Sequence, residues 1–324
     1  MNIKITEIEY YLPQKIVTNR DLAKDNPEWD FSLIEAKTGI ISRHIARNDE
    51  RASDLAVNAA ERLFQNNNID KDSIDALIFC TQSPDFLLPT TACIIQDRLN
   101  LKISTAAFDF NLGCSGYIYG LGISSSMIKS GISKRVLLLC AETYSKYMSK
   151  NDRTSWSIFG DAGAATIIER SDSNKSIGPF ILRTDGRGKD KLIVREADCS
   201  QINTTENPKQ RLFIDGPGIF MFTMQRVPEC VKELLAQTEK TINDVDFFIF
   251  HQASKVVIDN IARILSLEKS KVFQGYEKIG NTVSASIPIA LKQAQEQKLI
   301  KEGDLIMLVG FGVGLSWGAC FVQW

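Results

Sequence analysis

The sequence predicts an α/β fold made of two duplicated halves, and three observations support this. Apolar β-rich runs alternate with segments of helical spacing along the chain, which is typical of sheets covered by helices on both faces. Residues 74–83 (IDALIFCTQS) align without gaps on residues 245–254 (VDFFIFHQAS). Each half also ends in a β run, a glycine-rich turn and another β run. Because two matches occur in the same order, duplication is favoured over chance.

The elements of the first half follow from their periodicity. The opening MNIKITEIEYYLP alternates apolar and polar residues, which predicts a strand, and it lacks the apolar core of a signal peptide. The later runs predict, in order, a helix over residues 53–66, a strand over 74–80, a helix over 91–99 and a strand over 135–141. The polar stretch 170–176 contains SDSNKS and predicts the boundary between the halves, residues 1–172 and 173–324.

The second half repeats the alternation of helices and strands. Its runs predict a helix over residues 219–238, a strand over 245–250, helices over 256–265 and 284–297, and a final strand over 304–309. Sites in open α/β sheets assemble at the carboxyl ends of strands, so a polar residue that directly follows a strand is a candidate for chemistry.

Composition excludes several classes of protein. The 324 residues include 38 Lys plus Arg against 39 Asp plus Glu, so the net charge of -1 leaves no basic footprint for nucleic acid. No run approaches the ~20 apolar residues that span a bilayer, so no membrane contact and a cytoplasmic location are expected. The seven cysteines are irregularly spaced without a C-x2-C pair, and only two histidines occur. Disulfide scaffolds and metal sites are therefore not expected.

Cys114 is the first candidate for chemistry. A β run ends at the Gly-Cys-Ser-Gly turn of residues 113–116, and a helix is predicted directly after it. A thiol at a helix N-terminus sees unpaired N–H groups and the positive end of the dipole, and both favour the nucleophilic thiolate. The backbone N–H groups of this turn can also bind an oxyanion. The alternative is a small buried cysteine at a tight turn.

Three later segments supply further candidates. His251 directly follows a predicted strand, where a base is well placed, although a histidine hydrogen-bonded at a strand end fits the same pattern. Asn281 stands in the turn GNTVSASIP before a helix start, and turn chemistry alone would explain it. The glycine-rich segment 310–318 joins two β runs and lacks the Lys-Ser/Thr of a P-loop, which predicts a tight turn lining a pocket rather than a nucleotide site.

Together, the motifs G-C-S-G, strand-HQAS, G-N-T-x-S-A-S-x-P and G-F-G-x-G-x-S-W-G resemble those of the β-ketoacyl-acyl-carrier-protein synthase III family. The resemblance runs from the first strand, through residues 37–40 (KTGI) and 43–46 (RHIA), to the last residue. It implies a thiolase-like fold whose duplicated halves form a five-layer α-β-α-β-α arrangement. It also implies that Cys114 is acylated, that His251 and Asn281 complete a Cys-His-Asn site, and that no metal takes part.

The chemistry implied by this resemblance is a decarboxylating condensation. An acyl thioester acylates Cys114, which divides one difficult step into two. A malonyl thioester such as malonyl-acyl carrier protein then loses carbon dioxide, and His251 and Asn281 stabilise the oxygen of the resulting enolate. The carbanion attacks the acyl-cysteine while the backbone N–H groups of Cys114 and Val313 hold the oxyanion, giving a 3-oxoacyl product of fatty acid or specialised acyl and polyketide biosynthesis.

The resemblance also implies substrates and partners. No tightly bound cofactor is expected, since coenzyme A and acyl carrier protein deliver the thioesters. Arg153 matches an arginine that stacks on the adenine of coenzyme A, and Lys37 stands where the family often has an arginine; solvated surface charge is the alternative for both. Lys255 offers a positive charge beside the HQAS motif. Leu87 and Leu88 lie where the family inserts a segment into the acyl pocket of its partner, which implies a homodimer.

Several positions depart from the family pattern and leave the acyl donor open. Leu33 replaces a tryptophan that sandwiches the adenine, and Ser254 replaces the asparagine that ends the HQAN-type motif. Val256 stands where the family has an arginine, and Val313 replaces the middle glycine of the last loop.

The same residues bear on three other classes of activity. The alternative within the fold is an acyltransferase that moves the acyl group from Cys114 to an oxygen or nitrogen nucleophile without decarboxylation. A papain-type hydrolase would need a C-G-x-C-W context, which residues 112–117 lack. A non-catalytic subunit would normally have lost at least one of Cys114, His251 and Asn281.

Overall fold

The computed structural model of the protein describes residues 2–194 and 212–324. The six cysteines in these ranges are free thiols, and Cys199 lies outside the described residues. No helix in the described ranges is both long enough and apolar enough to cross a membrane.

The first half is built on a five-stranded sheet. Its strands are β1 (Asn2–Tyr11), β4 (Ala76–Cys80), β5 (Ala106–Phe110), β6 (Arg135–Glu142) and β7 (Ala162–Ser171). They lie in the order β1-β7-β6-β4-β5, with β4 parallel to β5 and β6, and with β7 antiparallel to β1 and β6. β5 pairs with β4 alone and so forms one edge of the sheet.

The second half is built on a four-stranded sheet with the same topology. Its strands are β8 (Ser176–Thr184), β11 (Phe247–Phe250), β12 (Leu305–Gly312) and β13 (Ser316–Gln323). They lie in the order β8-β13-β12-β11, with antiparallel pairs at β8/β13 and β13/β12 and a parallel pair at β12/β11. A single parallel bridge between Phe248 and Val272 stands where β5 stands in the first sheet. The two sheets therefore repeat one another strand for strand.

Two short two-stranded sheets lie outside this frame. They pair β2 (Lys15–Thr18) with β3 (Ser42–Ile45), and β9 (Leu192–Val194) with β10 (Leu212–Ile214). Both pairs are antiparallel.

The helices of the described residues form layers around the two sheets. They are α1 (Asn19–Asp25), α2 (Phe31–Thr38), α3 (Ala52–Asn67), α4 (Thr91–Arg98), α5 (Gly116–Lys129), α6 (Arg153–Trp156), α7 (Gly216–Gln237), α8 (Lys255–Ile264) and α9 (Ser286–Glu296). α3 and α4 cover the outer face of the first sheet, and α7 packs on the outer face of the second sheet together with α8. α5 and α9 contact strands of both sheets and lie between them. The layer order is α-β-α-β-α.

The central layer is possible because α5 is apolar on most sides and carries small residues where it meets the sheets. Tyr117, Ile118 and Leu121 are completely buried in the core between the sheets. A Cβ at Gly120 would stand 2.7 Å from Leu138 Cδ1, so glycine lets the helix approach β6 closely. These buried apolar residues and Gly120 thus place the helix that follows Cys114 at the centre of the molecule.

Every helix and strand named from periodicity is present, with shifts at some ends. The second-half strand begins at Phe247, because residues 242–244 form a 3-10 turn that precedes it. The helix expected from residue 284 opens with a 3-10 turn, and α9 begins at Ser286. β12 and β13 extend into the glycine-rich segment, so only residues 313–315 form its turn. The division of the halves at residue 172 stays a prediction.

Candidate active site

Cys114 lies in the short connection between β5 and α5 and is 6% exposed. The Gly116 N–H closes the turn by donating to the Gly113 carbonyl at 2.8 Å. Ser115 is the N-cap of α5, so the thiol precedes the first helical residue. A Cβ at Gly312 would stand 3.0 Å from Cys114 Sγ, which is why this loop needs glycine to lie against the thiol.

Burial, with a smaller contribution from the nearby Glu142 carboxyl, raises the pKa of the Cys114 thiol to about 12. The expectation of a thiolate at the helix start is therefore wrong, although the backbone N–H of Cys114 acts in the expected direction. The thiol lies in a buried cluster with Phe159 and Val283, where the loss of water outweighs the helix dipole. The Cys114 side chain is therefore a neutral thiol at physiological pH.

His251 follows β11 directly, as predicted, and is 2% exposed. Its backbone N–H donates to the Val309 carbonyl at 2.8 Å, which fixes the residue to β12. Its Nδ1 lies 2.6 Å from Ser286 Oγ, and its ring packs edge-to-face on Phe311 with 5.5 Å between centroids. Burial lowers the pKa of His251 to about 3, so the imidazole is neutral at physiological pH.

Asn281 lies in the turn before α9 and is 5% exposed. Its main chain is held by the first half: its N–H donates to the Ile158 carbonyl at 2.9 Å, and its carbonyl accepts from the Gly160 N–H at 3.0 Å. Its side-chain Oδ1 accepts a hydrogen bond from the Val283 N–H at 2.9 Å. Because the oxygen is engaged in this way, the Nδ2 group is the part of the amide that remains as a donor.

The end of β12 brings the predicted residues together. Its Gly312 lies against the Cys114 thiol, and the neighbouring Phe311 packs on the His251 ring. Val283, on the asparagine turn, belongs to the same buried cluster as Cys114. The thiol of the first half and the two polar side chains of the second half therefore meet in one buried region.

Val313 lies in the turn between β12 and β13, close to Cys114. Its Cγ1 is 3.0 Å from the position that a Cβ on Gly113 would take. Ser316 Oγ donates to the Val313 carbonyl at 2.8 Å and lies 2.7 Å from Ser115 Oγ. These contacts fix the turn to the start of α5.

Sequence reasoning missed Glu142, which is fully buried at the end of β6. Its carboxyl oxygens accept hydrogen bonds from the Gln82 N–H at 3.1 Å, Ser83 Oγ at 2.7 Å and Ser284 Oγ at 2.8 Å. Burial raises the pKa of Glu142 to about 8, although these hydrogen bonds act against the shift. The available signal was position, because Glu142 directly follows the strand predicted over residues 135–141. Ser286 was likewise missed as the partner of His251.

The residues expected to bind the thioester donor lie on the surface. Lys37, Arg153 and Lys255 are all exposed. Lys255 lines a cleft of about 890 Å³ beside α2 and α1, and it forms an ion pair with Asp259 at 3.7 Å. Leu33 is 48% exposed on α2. Of the three basic side chains, Lys255 is the one placed in this cleft.

Leu87 and Leu88 lie in the connection between β4 and α4 and are 76% and 86% exposed. They stand outside the buried cluster around Cys114 of their own chain. Within residues 2–194 and 212–324, no three His, Cys, Asp or Glu side chains are grouped so as to hold a metal ion.

Known proteins share this sequence and architecture. The family model described as 3-oxoacyl-[acyl-carrier-protein (ACP)] synthase III matches residues 108–186, and the model of its C-terminal part matches residues 235–324. The β-ketoacyl-[acyl-carrier-protein] synthase III of Natranaerobius thermophilus is 37% identical over 330 residues, covering 100% of this chain and 99% of that protein.

Solved structures agree with these relatives. A crystal structure of a 3-oxoacyl-(acyl-carrier-protein) synthase III has a TM-score of 0.94 at 36% identity, with 100% of both chains covered. The synthase III of Thermus thermophilus has a TM-score of 0.91 at 33% identity, with 99% of both chains covered. The predicted thiolase-like fold, with two related halves in five layers, is confirmed. The chain belongs to the β-ketoacyl-[acyl-carrier-protein] synthase III family of acyl-transferring condensing enzymes.

Proposed function

We propose that this enzyme makes a 3-oxoacyl thioester in two steps at Cys114. An acyl group is transferred to the thiol, and a malonyl thioester then condenses with it and loses carbon dioxide. The observation that carries the proposal is the orientation of His251 and Asn281. His251 Nδ1 is hydrogen-bonded to Ser286, and Asn281 Oδ1 to Val283, so His251 Nε2 and Asn281 Nδ2 remain for the substrate. The names of the relatives include the acyl carrier protein, so we propose malonyl-acyl carrier protein as the second substrate.

In the first step, the Cys114 sulfur attacks the carbonyl carbon of an acyl thioester. A new C–S bond forms, the bond to the donor sulfur breaks, and the released thiol carries away the proton that Cys114 loses. Because the pKa of Cys114 is about 12, this proton has to move while the attack proceeds. The backbone N–H groups of Cys114 and Val313 hold the tetrahedral oxyanion, a role supported by the position of Val313 beside Gly113.

In the second step, the malonyl carboxylate leaves as carbon dioxide, and its electron pair forms an enolate. With the Ser286 hydroxyl donating to Nδ1, neutral His251 carries its proton on Nε2, and Nε2–H and Asn281 Nδ2 each donate a hydrogen bond to the enolate oxygen. Preorganised donors of this kind are worth roughly 3 kcal/mol each. The carbanion then attacks the acyl carbon, the bond to Cys114 breaks, and the thiolate takes one proton from solvent.

We propose that the thioesters of coenzyme A and acyl carrier protein reach the site along the cleft lined by Lys255. Arg20 also lines this cleft, and cations suit the phosphates of both carriers. We also assign binding of the thioester donor to two further basic side chains. Lys37 is exposed on α2, and Arg153 is exposed at the start of α6. No tightly bound cofactor is part of this proposal.

The enzyme works as a homodimer in this proposal. β5 has no partner on its outer edge within the described chain, and its apolar residues are only partly buried. Three apolar side chains near β4 and β5, the last two strands of the sheet, are strongly exposed. Ile103 lies in the connection before β5, and Leu87 and Leu88 lie in the connection after β4. An exposed apolar edge strand is a template for pairing with a second chain, and Leu87 and Leu88 would then serve the acyl pocket of the partner copy.

A cytoplasmic location also belongs to the proposal. It is supported by the cysteines, because the six described ones are free thiols, as is usual in a reducing compartment. Fatty acid biosynthesis is the pathway that the family supports.

Intact-protein mass spectrometry after exposure to a panel of acyl thioesters tests the first step. We expect a mass increase equal to the acyl group, absent from Cys114→Ala. Addition of malonyl-acyl carrier protein labelled in its free carboxyl group should then release labelled carbon dioxide and discharge the cysteine. Acylation without release of carbon dioxide would instead favour transfer to an oxygen or nitrogen nucleophile.

A further inference from the structure

We propose that Glu142 is a positioning residue for the condensing step, because it holds the turn of residues 281–286 that serves the enolate. This inference rests on the proposed function. Asn281 begins the turn, and Ser286, the partner of His251, ends it. Ser284 lies between them and donates to Glu142 Oε1 at 2.8 Å. One carboxylate of the first half thus acts on both enolate donors of the second.

The surroundings of Glu142 show a carboxylate built into the junction of the halves. Its Oε2 accepts from Ser83 Oγ at 2.7 Å, and both oxygens lie 3.1 Å from the Gln82 N–H. Ser83 Oγ is itself fixed, since it accepts from the Thr143 N–H at 3.2 Å. Gln82, Ser83 and Thr143 belong to the same half as Glu142. The bond from Ser284 is the one that crosses to the other half.

The turn needs such support because its backbone is strained. Val283 has a φ of +53°, in the left-handed region that β-branched residues avoid. Its side chain is fully buried in the cluster around Cys114, and its N–H donates to Asn281 Oδ1. Strain of this kind persists where neighbouring contacts over-determine the conformation. The Glu142–Ser284 hydrogen bond supplies one of these contacts at the very next residue.

Glu142 does not activate the nucleophile. Its charge raises the pKa of Cys114, and it acts in the same direction on the buried Cys80 and Tyr144. Above about pH 8, where Glu142 is ionised, loss of the charge should therefore favour deprotonation of Cys114, whereas loss of the hydrogen bonds should disturb the enolate donors. The two steps of the reaction respond in opposite directions, which a purely structural role would not produce.

A matched pair of variants, Ser284→Ala and Ser83→Ala, tests the role of the turn. Each removes one hydroxyl donor from the same buried carboxylate, but only Ser284 lies on the turn. Acylation by acetyl-coenzyme A is followed by intact mass, and decarboxylation by labelled carbon dioxide from malonyl-acyl carrier protein. We expect S284A to slow decarboxylation roughly 10- to 100-fold while acylation stays within about threefold, and S83A to change both steps by less than about threefold. Equal losses in the two variants, or equal losses in the two steps of S284A, would overturn the proposal.

Glu142→Gln supplies an independent readout, because it keeps the volume and removes the charge. At pH 9, alkylation of Cys114 by iodoacetamide, located by peptide mass spectrometry, should be about 3- to 10-fold faster than in the unmodified protein. Decarboxylation should be slower by roughly 10- to 100-fold. Slower alkylation together with slower decarboxylation would contradict a positioning role. If the unmodified protein itself releases no carbon dioxide, the condensing function fails; if it does and S284A equals S83A, only the role of Glu142 fails.

Discussion

Ser286 Oγ lies 2.6 Å from His251 Nδ1, and this contact joins the first residue of α9 to the residue that follows β11. The same hydroxyl lies 3.4 Å from the Gln252 N–H. In the proposed site the Ser286 hydroxyl donates to Nδ1, so the neutral ring carries its proton on Nε2 and this nitrogen is the donor.

Ser286→Ala should impair condensation but spare acylation. Without the hydroxyl, the neutral ring exchanges between tautomers, and decarboxylation should fall about tenfold, less than the roughly 100-fold expected from outright removal of one such donor. Ser286→Thr keeps a hydroxyl and should retain most of the rate. Labelled carbon dioxide release and intact-mass acylation measure the two steps. A loss of acylation equal to the loss of decarboxylation would contradict this role.

The His251 ring should not titrate between pH 5.5 and 8. Burial lowers its pKa to about 3, so a neutral ring persists well below the ordinary value of 6.5. Imidazole NMR of ¹⁵N-histidine-labelled protein measures both the titration and the tautomer. His44 is the other histidine of the chain, and the signals that disappear in His44→Gln belong to it. We expect an Nε2–H tautomer with constant shifts. A midpoint near 6.5, or an Nδ1–H tautomer, would count against the proposed enolate donor.

The stability of the protein should depend on pH through Glu142. Its pKa is about 8 in the folded protein against an ordinary value of 4.5 for a glutamate side chain. Its contribution to stability is therefore present below about pH 4.5 and is lost as the pH rises through 8, because only the unfolded chain releases the proton in between. Glu142→Gln lacks this titration. The free energy of unfolding of the variant, relative to that of the unmodified protein, should therefore be higher at pH 9 than at pH 5. Urea denaturation at both pH values measures the change, and a constant difference would contradict the shift.

Gly312→Ala should displace the nucleophile. The added Cβ would stand 2.8 Å from Cys114 Cβ and 3.0 Å from Sγ, whereas a Cβ at Gly186 would meet nothing within 4 Å. We expect G312A to lose about 1–3 kcal/mol of stability and to acylate at least tenfold more slowly. Gly186→Ala is the matched control, measured by the same thermal unfolding and intact-mass assays. Equal behaviour of the two variants would show that the loop yields without moving the thiol.

Leu87→Asp combined with Leu88→Asp should weaken the proposed homodimer. Burial of two carboxylates in an apolar contact between the copies is unfavourable. Light scattering coupled to gel filtration measures the mass of the protein in solution. Ile264→Asp, a change at a 40% exposed residue on α8, is the control and should leave the dimer intact. A monomeric unmodified protein, or an unchanged dimer in the double variant, would contradict the assignment.

Much of the fold is local in origin and could be predicted. Helical spacing over residues 53–66 and continuous apolar runs over 74–80 and 245–250 depend on near neighbours, and the structure has α3, β4 and β11 there. The position of Cys114 before a helix and of His251 after a strand could be predicted for the same reason. Their roles rest on the family resemblance, which the relatives confirm for the chain as a whole.

The class of fold, the repeat of the two halves and the residues that follow the central strands can be predicted without a structure, because they are properties of short-range pattern. The state of the site depends on tertiary packing. That packing buried Cys114 so that its pKa rises where a helix start alone favours a thiolate. It also brought Glu142 to Ser284 across 142 positions of chain, and held Val283 in a strained conformation. Desolvation and contacts between distant segments arise when the two halves pack together, and no local pattern encodes them.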